Sequence, residues 1–292
     1  MKIAARVLMG CLVAAVLLSY VPVWPLALGG HFRVQQLFLL LVLTGLVAAA
    51  KEWASVAAGL LTSLLVSASF LPFYFGGPPV EGPTRRLVLV NFLSSNRNYD
   101  ILKQFIEAEN PDYLAVLEVR EHLVPTLEGM GFPYGKILAR PDNFGIALFS
   151  RHQPVSFEAP DYGAGVPSLL ADFGDFRLLA THPPPPINST YQQMGDRHLT
   201  ALAEWVEGTP LILAGDLNAT SWSPPLRRLE QAGLVNSRRG FGVLTTWPSH
   251  PLFLRIPIDQ VLVSPTIGIA DCRVGPDLGS DHLPLVVDLR LP

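Results

Sequence analysis

The residues of this chain that are best suited to binding or catalysis are an aspartate and an asparagine that follow a short apolar run. Residues 211–218 read Leu-Ile-Leu-Ala-Gly-Asp-Leu-Asn; the four apolar residues predict a buried strand, and Gly215 permits a turn at its end. Asp216 and Asn218 stand two positions apart, so their side chains point the same way while strand geometry persists. A carboxylate there can bind a hard cation, and an amide can donate a hydrogen bond to a phosphate without adding charge. For this pair taken alone, the alternative is an Asx turn that caps the strand.

Polar side chains also stand at the ends of other apolar runs, which favours a functional site over an isolated turn. Glu118 comes near the end of the run 113–119, where a buried glutamate is costly unless it is paired or bound to a metal. His182 precedes four prolines, which cannot continue a strand, so it stands where the sheet stops. Each residue alone has a structural alternative as a surface or hydrogen-bonded strand-end side chain. The full set is Asn91, Glu118, His182, Asp216, Asn218, Asp259, Asp281 and His282.

The elements that must position these residues alternate along the C-terminal part of the chain. Apolar runs predict strands at 87–92, 113–119, 145–151, 168–173, 176–182, from 211, 256–263 and 285–291. Helical spacing predicts helices at 98–109, 121–130, 193–207 and 225–232. Because strands outnumber helices and several follow one another directly, the pattern predicts an α/β sandwich of mixed sheets rather than a doubly wound parallel sheet.

Three apolar runs make up the N-terminal part: Ile3–Trp24, Val34–Ala50 and Ala54–Phe75. Each has about 17–22 residues, the length that crosses a bilayer. A signal peptide accounts only for the first run, and a buried helical hairpin of a soluble protein is the other alternative. We expect three transmembrane helices within residues 1–76 that contact the lipid bilayer through residues 3–75, then a Gly- and Pro-rich linker at 77–84. The positive charges of Lys2 and Arg6, before the first helix, favour a cytoplasmic N-terminus. After three crossings the C-terminal part of this integral membrane protein would then lie outside the cytoplasm.

The charge balance limits the partners of the C-terminal part. Four of the 21 basic residues and one of the 24 acidic residues precede Pro78, so the remainder carries 17 basic and 23 acidic residues and a net charge of −6. This balance argues against a broad basic face for nucleic acid, although a metal site could still neutralise phosphate locally. The two cysteines, Cys11 and Cys272, lie in different parts of the chain, so no disulfide is expected within the C-terminal part.

The order of the polar motifs resembles a known superfamily. Asn91, Glu118, Thr-His at 181–182, Gly-Asp-Leu-Asn at 215–218, Ile-Asp at 258–259 and Ser-Asp-His at 280–282 occur in the order typical of the endonuclease/exonuclease/phosphatase superfamily, which includes DNase I, apurinic endonucleases, sphingomyelinases and inositol-phosphate phosphatases. The resemblance covers about residues 85–292. It implies a catalytic domain with the DNase I-like fold, a four-layer α/β sandwich of two mixed sheets flanked by helices.

The resemblance also implies a metal-dependent phosphoesterase, since a phosphoester anion repels hydroxide unless a cation neutralises its charge. Glu118 would be the main ligand of Mg²⁺, or of Mn²⁺, with Asn91 and Asp281 assisting. Carboxylate and amide oxygens are the ligands that such hard cations prefer.

The same resemblance assigns the remaining residues to the reacting phosphate. Asp216 would orient or deprotonate the attacking water, and Asn218 would hold a phosphate oxygen. Asp259 would support His282, the acid-base or charge-stabilising imidazole. His182 would contact the phosphate or the leaving oxygen from the opposite side.

Three departures from the family pattern weaken any assignment to a subfamily, and to the apurinic endonucleases especially. Leu117 stands where Gln often precedes the metal-binding glutamate, Leu93 where a second Asn or Asp is common, and Gln260 where His often follows the Ile-Asp pair. Asn143 is a further candidate for phosphate contact. The sequence predicts solvent-exposed or structural roles for Arg197, His198, Arg227, Arg228 and His250.

These observations predict a membrane-anchored phosphoesterase whose substrate is a nucleic acid, a phospholipid or a small phosphodiester. No protein partner follows from the sequence. The alternative is a catalytically silent module that binds a phosphorylated ligand or a protein. The Asp259–His282 pair argues against that alternative, because a binding module has no need of it.

Overall fold

The computed structural model describes residues 2–76, 81–206 and 208–291, so residues 77–80 of the predicted linker lie outside the described part. The α-helices are α1 Lys2–Leu18, α2 Arg33–Ala49, α3 Trp53–Ser67, α4 Tyr99–Glu109, α5 Val124–Glu128, α6 Ser189–Trp205 and α7 Pro224–Gln231. The strands are β1 Thr84–Asn91, β2 Tyr113–Leu117, β3 Tyr134–Leu138, β4 Ile146–Ser150, β5 Ser156–Glu158, β6 Leu169–Asp172, β7 Arg177–Ala180, β8 Leu211–Asp216, β9 Val235–Asn236, β10 Asp259–Val263, β11 Gly268–Val274 and β12 Leu285–Arg290. A 3-10 helix, Leu26–Phe32, precedes α2 and is called the 26–32 segment below.

Two six-stranded sheets form the part of the chain from β1 onwards. The first has the order β11-β12-β1-β2-β4-β3 and the second the order β5-β6-β7-β8-β10-β9. The pairs β1–β2 and β7–β8 are parallel, whereas their other neighbours pair antiparallel. The predicted α/β fold of two mixed sheets flanked by helices is therefore confirmed.

The strands are apolar on both faces because each sheet is covered on both sides. In β1, Leu87 and Leu89 face the second sheet, and Val88 and Val90 pack under α4 and α5. On the other side of the molecule, α6 and α7 cover the outer face of the second sheet. Successive strand residues point to opposite faces, so burial on both sides produces the continuous apolar runs seen in the sequence. The result is four layers: helices, sheet, sheet, helices.

Gly215 lies inside β8, so the expected turn at this glycine is wrong. A Cβ atom at this position would collide with the backbone carbonyl of Thr181. The glycine is thus required by the close approach of the chain that follows β7. This contact brings the end of β7, and His182 after it, against Asp216 at the end of β8.

The three N-terminal apolar runs form α1, α2 and α3, but the prediction of three transmembrane helices is not met. Within the described residues, one helical stretch, Leu26–Ala49, is long and apolar enough to cross a bilayer. At ~1.5 Å per residue, the 17 residues of α1 and the 15 of α3 fall short of the ~30 Å hydrocarbon core. Each of these two helices begins with its apolar run and ends before the run does, α1 at Leu18 and α3 at Ser67. The helix α2 also has 17 residues, but it continues directly from the 26–32 segment, and the two together make a helical stretch of 24 residues.

The N-terminal helices contact the sandwich at one of their two ends. The indole of Trp222 donates to the carbonyl of Gly30 (2.8 Å), and the backbone N–H groups of Gly240 and Gly242 donate to the carbonyl of Phe73 (2.9 Å each). At the other end of the helices, Arg6 of α1 pairs with Glu52 at the start of α3. The start of α2 and the residues after α3 therefore face the sandwich, and the N-terminus lies away from it.

Candidate active site

The site is built where strands of both sheets end side by side. Asn91, the last residue of β1, pairs in parallel register with Leu117, so Glu118 follows directly beside it. In the second sheet, Asp216 at the end of β8 pairs with Asp259 at the start of β10. Glu118 has a φ of 60°, in the left-handed region that non-glycine residues rarely occupy. Such backbone strain is concentrated at functional sites.

Asp216 lies at the centre of the cluster. Its Oδ2 accepts a hydrogen bond from Asn91 Nδ2 (3.2 Å) and lies 3.5 Å from His182 Nε2 and 3.6 Å from His282 Nε2. Its Oδ1 accepts from the backbone N–H of Asn218 (2.9 Å). With the carboxylate 2% exposed, these contacts replace the water it has lost. Burial alone would raise the pKa of Asp216, but the two imidazoles outweigh it and lower that pKa.

His282 and Asp259 form the predicted pair. His282 Nδ1 lies 2.9 Å and 3.2 Å from the two carboxylate oxygens of Asp259, which leaves Nε2 directed at Asp216. Burial would lower the pKa of His282, but the carboxylates of Asp259 and Asp216 outweigh it and raise that pKa to about 10. Asp259 thus fixes the imidazole and favours its protonated form, as a general acid requires. Ser280 supports the pair from below, accepting from the backbone N–H of His282 (3.1 Å) and donating to the carbonyl of Asn91 (2.8 Å).

His182 approaches Asp216 from another side. Burial lowers its pKa, but its contact with Asp216 and the charge of Glu118 outweigh burial, so the pKa is raised. Its Nδ1 is buried and has no hydrogen-bond partner among the described residues, and its ring lies 5.6 Å from that of Phe144. Two imidazoles thus share one carboxylate, an arrangement that offers two hydrogen-bond donors to a bound anion.

The buried acids fit a hard cation. Asn91 Nδ2 lies 3.2 Å from Glu118 Oε1 as well as from Asp216, so the two carboxylates face one another across this amide. Glu118 Oε2 accepts from the backbone N–H of Ser94 (2.9 Å). The cluster contains three buried carboxylates, those of Glu118, Asp216 and Asp259, and two buried imidazoles. Carboxylate oxygens are ligands that suit Mg²⁺ or Mn²⁺.

A second group could also be considered for a metal. One ligand atom each of Asp216, Asp259 and His282 lies within 4.8 Å of the others. However, His282 Nδ1 is already hydrogen-bonded to Asp259, so this group is better described as an acid-base pair than as a ligand set. The Glu118 side of the cluster is therefore the better metal position.

Two predicted residues are less centrally placed. Asp281 Oδ2 accepts from the indole of Trp247 (3.1 Å), whereas its Oδ1 is buried and without a hydrogen-bond partner among the described residues. This free oxygen matches a metal ligand, although the side chain bonds none of the other predicted site residues. The amide of Asn218 donates to the carbonyl of Pro183 (3.0 Å), so only one of its two N–H bonds is free for a phosphate.

A cavity of about 670 Å³ opens above the cluster. Glu118, His182, Asp216, Asn218 and His282 line its polar end, together with Asn143. Its other walls are largely apolar and include residues that the sequence analysis missed: Leu28, Phe32, Phe144, Ile187, Trp247 and Ile256. Leu28 and Phe32 belong to the 26–32 segment, and no local pattern in the sequence connects them with a site more than 80 residues away.

The residues expected to be structural lie outside the site. Arg197 and Arg228 are exposed on α6 and α7, and His250 has a side chain that is 78% exposed. His198 is fully buried, with Nε2 2.8 Å from Thr181 Oγ1. Gln260, one of the departures from the family pattern, accepts from Arg238, Asn236 and Ser221 and donates to two carbonyls, so it organises the chain beneath Asp259.

Comparisons with known proteins identify the family and agree with the fold. The model of the Endonuclease/Exonuclease/phosphatase family matches residues 86–282. An AP endonuclease from Archaeoglobus fulgidus is 16% identical with a TM-score of 0.60, over 70% of this chain and 98% of that one. Family proteins from Bacteroides thetaiotaomicron (17% identity, TM-score 0.58, 73% and 97% covered) and Beutenbergia cavernae DSM 12333 (18%, 0.58, 71% and 72%) are similarly related. At these identities the structures show a shared fold. No curated protein sequence gives a significant match.

Proposed function

Because the chain belongs to the Endonuclease/Exonuclease/phosphatase family, we propose that it is a membrane-anchored, divalent-metal-dependent phosphoesterase. The observation that carries the proposal is the position of Asp216. Its Oδ2 lies within 3.6 Å of His182, His282 and the Asn91 amide, and that amide also contacts Glu118. Base, acid and metal ligands thus meet around one point at the polar end of the cavity.

Glu118 would hold the cation, with Asn91 and Asp281 assisting. A divalent cation bound there neutralises phosphate charge and makes water a better nucleophile. Asn91 contributes to this position because its amide already lies between the carboxylates of Glu118 and Asp216. The buried Oδ1 of Asp281, which has no hydrogen-bond partner in the described part of the chain, supports the assignment of Asp281 to the ligand set.

The residues around Asp216 would carry the proton transfers. Asp216, ionised because its pKa is lowered, accepts a proton from the attacking water as the new P–O bond forms. His282, protonated because its pKa is raised, donates its Nε2 hydrogen to a phosphoryl oxygen or to the departing alkoxide. Asp259 keeps Nε2 directed at the site by holding Nδ1, and His182 and Asn218 donate hydrogen bonds to the phosphate. The phosphodiester and water yield an alcohol and a phosphomonoester.

The N-terminal helices would attach the enzyme to a bilayer. Most of the large apolar side chains that are exposed in the described part of the chain lie on α1–α3 and their connections. Soluble proteins rarely expose apolar surface of this extent, whereas lipid accommodates it. Lys2, Arg6 and Lys51 lie at the end of the helices away from the sandwich, and this charge supports a cytoplasmic position for that end and a non-cytoplasmic position for the catalytic part.

The enzymatic proposal is tested with the full chain in detergent micelles. Methyl p-nitrophenyl phosphate is incubated with Mg²⁺ or with EDTA, and release of p-nitrophenolate is measured for wild type, D216N, H282N and H250N. We expect Mg²⁺-dependent turnover that falls at least ~100-fold in the first two variants, in line with the usual contribution of a general acid or base. His250 is the matched control because its side chain is exposed on the surface.

Turnover that survives EDTA, or that both D216N and H282N retain, would refute the proposed mechanism. Phosphate-ester binding without turnover in the wild type would favour the alternative, a silent phospholigand-binding module. Attachment to the membrane and its orientation are tested separately by carbonate extraction and by protease access in sealed vesicles. We expect the chain to resist extraction and residues 84–291 to be digested only from the non-cytoplasmic face.

A further inference from the structure

The cavity above the site combines a polar end with a long apolar wall. The rings of Phe144 and Trp247 lie 5.6 Å and 6.2 Å from those of His182 and His282, so apolar surface begins directly beside the acid-base groups. At about 670 Å³ the cavity has the size of a site for a small organic molecule. A phosphate group alone would leave most of this volume empty.

Part of the apolar wall comes from the N-terminal part of the chain. Leu28 and Phe32 of the 26–32 segment line the cavity opposite the sandwich. The segment is held at both sides of the opening: Trp24 donates to the carbonyl of Pro186 (3.2 Å), and Gln35 to the carbonyls of Phe253 and Arg255 (3.1 Å each). Between these points, Trp222 donates to the carbonyl of Gly30 (2.8 Å). Hydrogen bonds to the sandwich therefore hold the 26–32 segment in place as one wall of the cavity.

The 26–32 segment is also the start of the stretch Leu26–Ala49, the part of the chain that can cross a bilayer. The cavity thus opens where this stretch leaves the sandwich. Apolar side chains continue outward from the opening, with Ile187 65% exposed and Phe253 73% exposed. A hydrocarbon chain could pass from the bilayer to the cavity along this surface without entering water.

Among the described residues, the charged groups that line the cavity are the acids and imidazoles of the site and the nearby Asp142. Among the described residues that line it, none is Lys or Arg, and Glu118, Asp142 and Asp216 are acidic. Proteins that bind nucleic acid do so largely through basic side chains on the phosphate backbone. A substrate with one phosphate and an apolar remainder fits this lining better than DNA or RNA.

We propose that the substrate is an amphiphilic phosphoester from the bilayer, whose hydrocarbon chain packs between the 26–32 segment and the sandwich while its phosphate lies at Asp216 and His282. This inference rests on the proposed phosphoesterase function and names its substrate class. Leu28 and Phe32 are the residues of the N-terminal part that select for the chain.

The test uses three esters, the methyl, butyl and octyl p-nitrophenyl phosphates, with the full chain in detergent micelles and Mg²⁺. The leaving group is the same throughout, so differences in kcat/KM report on the retained alkyl group. Each buried methylene raises binding by about 4-fold. With three or more methylenes buried, the octyl ester exceeds the methyl ester by about 60-fold or more.

The variants locate the effect in the cavity. F32A, alone and combined with L28S, lowers the octyl-to-methyl ratio of kcat/KM at least fivefold. F38A is the matched control: Phe38 lies on α2, is 66% exposed and does not line the cavity, so its removal leaves the ratio at the wild-type value. Because the micelles are the same in every assay, partition of the octyl ester into detergent cancels between F32A and F38A.

The outcomes separate the two proposals. Hydrolysis of the methyl ester with an octyl-to-methyl ratio within twofold of one refutes the lipid inference and leaves the phosphoesterase proposal intact. Cleavage of a single-stranded oligonucleotide with higher kcat/KM than the octyl ester also refutes the lipid inference. Absence of hydrolysis of every ester refutes both. The three esters are compared on the wild-type protein, so this test of the inference stands even if F32A does not fold.

Discussion

His198 makes the stability of the protein depend on pH in a way that can be isolated by one substitution. Its side chain is fully buried, with Nε2 2.8 Å from Thr181 Oγ1 and Nδ1 without a partner among the described residues. Protonation would bury an N–H without an acceptor, and burial lowers the pKa of His198 to about 4 from the usual 6.5. Between these values the unfolded chain binds more protons than the folded chain, so stability is complete above pH 6.5 and is lost as the pH falls towards 4.

The magnitude follows from the two pKa values. The full loss is about 3 kcal/mol, and about 2 kcal/mol of it has occurred by pH 5. For a protein of this size, about 2 kcal/mol corresponds to a Tm lower by ~6 °C. The substitution is H198Q, because glutamine can still bond Thr181 Oγ1 but cannot ionise in this range.

Tm is measured by tryptophan fluorescence for the full chain in detergent, at pH 7.5 and pH 5. Other groups lower Tm at pH 5 in both proteins, so the readout is the difference between them. We expect the wild type to lose ~6 °C more than H198Q over this interval. Equal losses, within about 1 °C, would show that His198 is already protonated or solvated in the folded state, and would refute the reasoning.

Three further predictions concern the site and its support. D259N replaces the carboxylate beside Nδ1 of His282 with a neutral amide, which no longer favours the protonated imidazole. We expect kcat on methyl p-nitrophenyl phosphate to fall by ~100- to 10,000-fold, whereas D175N in an exposed turn has no effect. G215A forces a Cβ into the carbonyl that follows β7, so we expect a loss of ~1–3 kcal/mol, read as a lower Tm; an unchanged Tm would contradict the close approach. W222F deletes the indole hydrogen bond to the 26–32 segment, which contributes about 1 kcal/mol to stability. We expect amide hydrogen exchange in that segment to become several-fold faster, and unaltered exchange would show that the indole does not hold the segment.

The sequence alone was sufficient to place most of the chemical groups. Four of the groups are recognisable because each follows an apolar run, and the fifth because it precedes one: Asn91, Glu118, His182 and Asp216, then His282. Parallel or neighbouring strands bring these run ends to one edge. The central strands were predictable for the same reason, since burial on both faces leaves an uninterrupted apolar signal.

The strands that escaped prediction are β3, β5, β9 and β11, and they are the four edges of the two sheets. Edge strands are short or partly exposed, so their sequences mix polar and apolar residues without a clear period. Their assignment depends on a neighbouring strand to pair with, which is information from distant parts of the chain.

Tertiary structure alone decided which groups act together. Spacing in the sequence does not determine side-chain directions. These directions leave Asp281 Oδ1 without a partner among the described residues, and they set the hydrogen bonds from Asn218 to Pro183 and around Gln260. The lengths of α1 and α3 depend on where each helix ends within its apolar run, and hydropathy does not report these ends. The cavity wall joins residues 28 and 32 to residues beyond 118, because chain segments far apart in sequence meet only when both have folded. Composition and spacing therefore determined which chemical groups this protein has, and packing determined the shape and lining of the cavity in which they meet.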